Sequence, residues 1–214
     1  MGVMTTAAPR SGDFTFRPRG PRVLAVALMA LAGVGTLSIL ATSTWQSWPA
    51  CLPMVLVGYA AWLMFWLPRV VVHEGGVTLV NPLQTLLVSW SSIIMVDTKY
   101  AMTLVTPKRR YTAWAAPAPG VISALRDARS SAKSERRDGS GGRYRSVRPG
   151  DQSSSDSGAV AAVVRGRLER LAEAGALDIE ATENAKAVRS IHWLHIGILL
   201  VLLVLSLTIP AVLV

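Results

Sequence analysis

The sequence predicts an integral membrane protein that is α-helical in the bilayer, with three transmembrane helices and a small β-rich module between the second and third. Three observations carry this. Apolar residues make up 51% of the 214 residues and the mean hydropathy is +0.39, both high for a soluble domain. No Lys, Arg, Asp or Glu lies between Arg22 and Arg69, or after Arg189. After Arg69, short β-branched runs alternate with turn residues, which is the pattern of a strand meander. The net charge of +9 falls in blocks that flank the uncharged stretches. That arrangement fits membrane topology, so nucleic acid is not an expected partner.

The first span is read from Val23 to Thr44, long enough to cross about 30 Å of hydrocarbon. Its length, and a second apolar run directly behind it, argue against a cleaved signal peptide. The second span runs from Pro49 or Leu52 to Leu67 and stops at Pro68-Arg69. Pro49 and Pro53 break the chain between the two, so they form a helical hairpin. The third runs from Trp193 to Val214. Trp45, Trp48, Trp66 and Trp193 sit at span ends, as an aromatic belt requires. Small residues Ala32, Gly33 and Gly35 would allow close helix approach.

Orientation follows the bias of positive charge toward the cytoplasm. Arg10, Arg17, Arg19 and Arg22 precede the first span, Arg69 follows the second, and Lys186 and Arg189 precede the third. The expected location is the plasma membrane, multi-pass. The N-terminus and residues 69–190 are then cytoplasmic, and the hairpin tip, with the single cysteine Cys51, and the C-terminus lie outside.

The expected organisation is a basic tail (1–22), the transmembrane hairpin (23–68), the β module (69–128), a disordered Ser/Arg/Gly linker (129–158), an amphipathic juxtamembrane segment (159–191) and the last span (192–214). Strands are predicted near Val70–His73, Val77–Asn81, Thr85–Ser89, Ile93–Tyr100, Met102–Thr106 and Tyr111–Ala115. Glu74-Gly75-Gly76 reads as a tight hairpin turn, and Asn81-Pro82 and Pro107-Lys108 as two further turns. A short helix after Pro119-Gly120, with Val121, Ile122 and Leu125 inward, is expected to close the strands into a partial barrel. Val160, Val164, Leu168 and Leu171 share a helical face that is expected to dock within the chain. A further helix is expected from about Asp178 into the last span.

These residues resemble a family. A transmembrane hairpin, Pro68-Arg69, a strand, Glu74-Gly75-Gly76, Val77, Asn81, then Trp90 and Ile93 in a Ser-Trp-Ser-Ser-Ile run, is similar to the bacterial pleckstrin-homology (PH)-like domains. More narrowly it looks like the actinobacterial membrane proteins of the low molecular weight protein antigen 6 type. The resemblance covers residues 20–130. It implies a PH-like partial barrel capped by a helix, and it implies no reaction. The first hairpin loop, His73 to Gly76, lacks the Lys and Arg with which eukaryotic PH domains hold inositol lipids, so that recognition is not expected there.

No phosphate loop, nucleophile elbow or His-Glu helix motif is present, and no cofactor or metal is expected. His192 and His195 share a helix face and are read as interfacial polar residues rather than metal ligands or a pH sensor. Asp97 and Lys99 are read as a surface ion pair. The spans contain no charged residue, which argues against transport. The residues expected to touch lipid or a partner are Lys108, Arg109 and Arg110 at a hairpin tip, and Arg136 and Arg137 in the linker. Residues 126–150 hold eight basic against three acidic residues, so this stretch could lie on anionic lipid. The expected function is a non-enzymatic, membrane-anchored interaction module that recruits a cytoplasmic or membrane protein or senses anionic lipid. Its alternative is an accessory subunit acting through its spans. Membrane lipids are the expected partners, and oligomers are compatible with the sequence.

Overall fold

A computed structural model describes residues 13–42, 45–117, 156–176 and 187–213. In chain order these form β1 (Phe14–Phe16), α1 (Arg19–Thr42), a 3-10 turn (Trp45–Cys51), α2 (Leu52–Ala61) and a π-helical turn (Trp62–Trp66). Then come β2 (Arg69–His73), β3 (Gly76–Val80), β4 (Gln84–Ser89), a 3-10 turn (Trp90–Ser92), β5 (Met95–Asp97), β6 (Ala101–Val105) and β7 (Arg110–Pro117). The chain ends in α3 (Asp156–Glu173), β8 (Val188–Ile191) and α4 (Trp193–Leu213).

Period-two alternation builds the sheets. Val70 and Val72 of β2, Val77 and Leu79 of β3, Leu86 and Val88 of β4, and Met102 and Leu104 of β6 all point inward and are buried. One antiparallel sheet has the order β1-β2-β3-β4-β8 and a second has the order β5-β6-β7. β7 lies against β2 and β3, and α3 covers β5, β6 and β7. Val160, Ala161 and Val164 of α3 complete the core. Arg165 Nη2 donates to the Val96 carbonyl at 2.9 Å and ties α3 to β5.

Two helices are long and apolar enough to cross a membrane, Arg19–Ala41 (23 residues) and Trp48–Trp66 (19 residues). The apolar stretch of α4, Trp193–Ile209, is shorter. α2 packs between α1 and α4. Small residues set the α1–α2 approach: a Cβ on Gly58 would meet Ala32 Cβ at 3.3 Å, and one on Gly35 would meet Met54 Sδ at 3.2 Å. Gly33, also expected to help, has nothing within 4 Å of its Cβ direction.

Six expectations need correction. The tail 1–22 contributes an edge strand, β1, because Phe16 can pack on the core while its backbone pairs with Val70. Residues 188–191 are strand rather than the start of the last helix, because β4 offers a free edge from Gln84 to Leu87. α3 packs on β5, β6 and β7 through the face expected to dock within the chain, so the folded module reaches past 128. The start of α3, residues 156–158, lies inside the stretch expected to be a disordered linker, and Ser157 is fully buried. The strand expected over Ile93–Tyr100 is cut to Met95–Asp97, because Asp97 Oδ1 accepts the Lys99 backbone N–H at 3.1 Å and turns the chain. That also undoes the Asp97–Lys99 pair: the Asp97 carboxylate lies 4.0 Å from Arg110 Nη1, and Lys99 Nζ sits over the Tyr100 ring. The expected helix at 121–128, most of the linker 129–158, and Arg136 and Arg137 lie outside the described residues.

Candidate functional site

Strand register gathers one end of the first sheet. Phe16 pairs with Val70, Arg69 with Val80, Val80 with Thr85, and Gln84 with Ile191. Arg17, Arg69, the turn 81–84 and His192 therefore share an end, and it is the end from which the apolar helices leave. The connections are short. Arg17-Pro18 joins β1 to α1, Leu67-Pro68 joins the π turn to β2, and His192 joins β8 to α4. Three features hold this junction.

The first is a cationic corner. The register that sets Phe16 against Val70 carries Arg17 opposite Arg69, on the face away from the core. The Arg69 guanidinium has its pKa lowered by burial and, second, by repulsion from Arg17. Arg22, in the first turn of α1, lays its guanidinium over the Trp66 ring, 4.9 Å from the centroid. Its Nε is buried without a hydrogen-bond partner. Buried Gln84 Oε1, at the same end of the sheet, also has no partner. Orphaned buried polar atoms are rare in folded chains and call for a reason.

The second is a histidine latch. His192 Nδ1 lies 3.3 Å from the Pro82 carbonyl and its Nε2 lies 2.9 Å from Thr85 Oγ1. A carbonyl only accepts, so Nδ1 carries a proton, and in the neutral ring Nε2 then accepts from the Thr85 hydroxyl. The His192 backbone N–H donates to the Leu83 carbonyl at 3.0 Å. His195 Nδ1 pairs with the Tyr59 hydroxyl at 2.8 Å, and its ring meets Trp62 and His192 edge-on, 5.6 Å from each. The two histidines thus join the β3–β4 turn, α4 and α2. Among the described residues, no group of three or more His, Cys, Asp or Glu is placed to hold a metal.

The third is a clasp between sheets and helices. Pro68 has no N–H, so the Met64 carbonyl lacks its usual helical donor. Trp114 of β7 supplies one, donating Nε1–H at 2.9 Å. Asn81 holds β7 in place, donating Nδ2–H to the Thr112 carbonyl and accepting the Trp114 backbone N–H.

The far end of the sheet carries the Glu74-Gly75 turn. Trp90 is buried there and donates Nε1–H to the His73 carbonyl at 3.0 Å, which explains the tryptophan in the Ser-Trp-Ser-Ser-Ile run. Lys108, Arg109 and Arg110 are exposed at the β6–β7 turn, whose geometry is set by Thr106 Oγ1 bonding both the carbonyl and the N–H of Arg109. They do not belong to the junction cluster, and Arg110 engages Asp97. Sequence reasoning missed Arg17 and Arg69 as neighbours, and it missed Trp114 and Asn81 as links. The available signals were the Phe-Thr-Phe run ahead of Pro18 and the donor that Pro68 removes. Cys51 is buried, with Sγ 3.9 Å from the Thr36 carbonyl, rather than open at the hairpin tip.

Residues 67–167 match the family model described as the bacterial PH domain. No curated protein and no solved structure matches the chain.

Proposed function

We infer that this chain, a bacterial PH-like domain protein through residues 67–167, is a non-enzymatic interaction module anchored in a membrane by its apolar helices. The observation that carries this reading is the junction itself. Strands β1, β2 and β8 each run into an apolar helical segment through one or two residues, so a bilayer holding those helices would hold the sheet in a fixed attitude at its surface. The helices are poor candidates for the core of a soluble protein. Only 11% and 22% of the residues in the two longest apolar windows are buried, and Leu31, Leu37, Leu200 and Leu207 stand more than half exposed. A large exposed apolar surface of this kind belongs against lipid or another helix.

Charge supplies the orientation. Arg17, Arg19, Arg22 and Arg69 lie at the end of the sheet from which the helices leave, Arg189 lies on β8, and the opposite tip, Trp45–Cys51, has no charge, so this reading puts the sheet on the cytoplasmic side. The narrower kinship with antigen 6 type membrane proteins belongs to this reading, through the hairpin joined by Pro68-Arg69.

Two steps test it. Alkaline carbonate should leave the chain in the membrane pellet, and its release would refute anchoring. For orientation, the buried Cys51 is replaced by Ser and a thiol is placed at exposed Ala50 or Glu74. A50C should react with an impermeant maleimide in intact cells and E74C only after lysis. Labelling of E74C in intact cells would put the sheet on the outer face.

A further inference from the structure

We propose that the corner formed by Arg17, Arg69, Arg22 and Trp66 is a binding site for the phosphate of an anionic phospholipid. The proposal rests on the membrane-anchored reading above and names a ligand for it. Carried one residue past Phe16 and Val70, the β1–β2 register sets Arg17 opposite Arg69, and among the described residues no carboxylate forms a salt bridge with Arg17, Arg22 or Arg69. Two like charges set opposite one another by backbone register repel, and that repulsion adds to burial, the larger cause, in lowering the Arg69 pKa. An anion between them would remove the conflict. Arg22 adds a third cation at the inner end of α1, with no acidic residue in that helix's first turn. Its guanidinium is oriented by the Trp66 face, while its buried Nε has no partner within the chain.

Guanidinium forks match phosphate oxygens in pairs, which makes arginine the side chain for this ligand. Location identifies the source. Arg22 and Trp66 lie where the helices leave the sheet, and Trp66 is 39% exposed, which suits an indole at a span end against lipid headgroups. The site is also unlike the inositol-lipid loop of eukaryotic PH domains. That loop corresponds to His73–Gly76, at the opposite end of the sheet.

The test uses the full chain reconstituted in phosphatidylcholine vesicles with trace spin-labelled lipid, reading the motionally restricted fraction by electron paramagnetic resonance. The native chain should select labelled phosphatidylglycerol over labelled phosphatidylcholine. In R17Q/R69Q that selectivity should fall about fivefold for each arginine removed, the ratio corresponding to about 1 kcal/mol per basic residue at a lipid surface. R109Q/R110Q removes the same charge from the β6–β7 turn and should leave selectivity unchanged. Equal loss in both pairs would mean diffuse electrostatics and overturn the site. So would undiminished selectivity in R17Q/R69Q.

If the glutamine pair fails to fold, R17K/R69K takes its place. It keeps the charge and loses the paired hydrogen bonds, so selectivity should drop part of the way, and no drop would overturn the site. Soluble glycerol phosphate added in excess should not displace the labelled lipid, and displacement would make the ligand a free phosphate. A chain that carbonate strips from the vesicles fails the anchoring reading. A chain that stays but shows no lipid preference fails this proposal alone.

Discussion

Two adjacent glycines in one turn should respond oppositely to alanine. His73 pairs with Gly76, leaving Glu74 and Gly75 as the turn between β2 and β3. Gly76 also pairs with Ser89 of β4, and the approach is so close that a Cβ would overlap the Val88 carbonyl oxygen and come within 2.9 Å of its carbon and of Ser89 Cα. The obstacle is the backbone of β4, so it cannot be relieved by a rotamer change. Either β4 retreats by most of an ångström or the Gly76 pair opens. Overpacking costs about 1–3 kcal/mol and each lost ladder hydrogen bond about 1 kcal/mol, so G76A should cost about 3 kcal/mol. That is a large share of the roughly 5–15 kcal/mol that holds a domain, and for a folding unit of about 100 residues it should lower the melting temperature by roughly 12–24 °C.

G75A is the control. A Cβ at Gly75 meets nothing nearer than His73 Nδ1 at 3.6 Å, ordinary contact, and Gly75 is not among the residues with positive φ. Alanine there restricts the unfolded chain and should be neutral or stabilising by up to about 1 kcal/mol. Thermal unfolding of the detergent-solubilised chain reads both variants, and hydrogen exchange at Val77 and Val88 localises the damage. A G76A melting point within a few degrees of the parent, or a G75A loss as large, would refute the reasoning.

Two further outcomes are expected. V164D places an unpaired carboxylate against the core face of α3, where Val164 is fully buried, and should cost more than about 3 kcal/mol, with exchange protection lost at Met102 and Leu104 on β6; the exposed neighbour change E169A should leave that protection intact. W114F removes the indole donor from the Met64 carbonyl and should cost about 1 kcal/mol, but less in a P68A background that restores a backbone N–H, so a double-mutant cycle by thermal melting should show coupling between the two positions.

Much of the local structure was legible. Val70, Val72, Val77, Leu79, Leu86 and Val88 announce their strands because each buries alternate side chains, and that period survives without knowledge of the partner. Pro68 marks the end of the hairpin because it can neither donate to the helix nor keep the preceding residue helical. The helical face of Val160 and Val164 announces an apolar contact, although not which strands it covers. The strand β1 was not legible. Three residues carry no measurable period, and Phe14–Phe16 is a strand only because β2 presents an edge. The same holds for Val188–Ile191 on β4.

The candidate site divides along the same line. Lys108, Arg109 and Arg110 stand out in sequence because they are consecutive, yet the structure leaves them on an exposed turn. Arg17 and Arg69 are 52 positions apart and look like ordinary flanks of two spans. Their adjacency is a matter of strand register, which local pattern does not encode.

By itself the sequence determined where charge is excluded, which residues alternate and where the backbone must break, because these depend on side-chain chemistry and spacing along the chain. Tertiary structure alone decided that β1 and β8 join one sheet, that α3 covers β5 to β7, and that three arginines and a tryptophan lie where the apolar helices leave. Those outcomes depend on which distant backbone edges and faces find one another, and no residue carries that information alone.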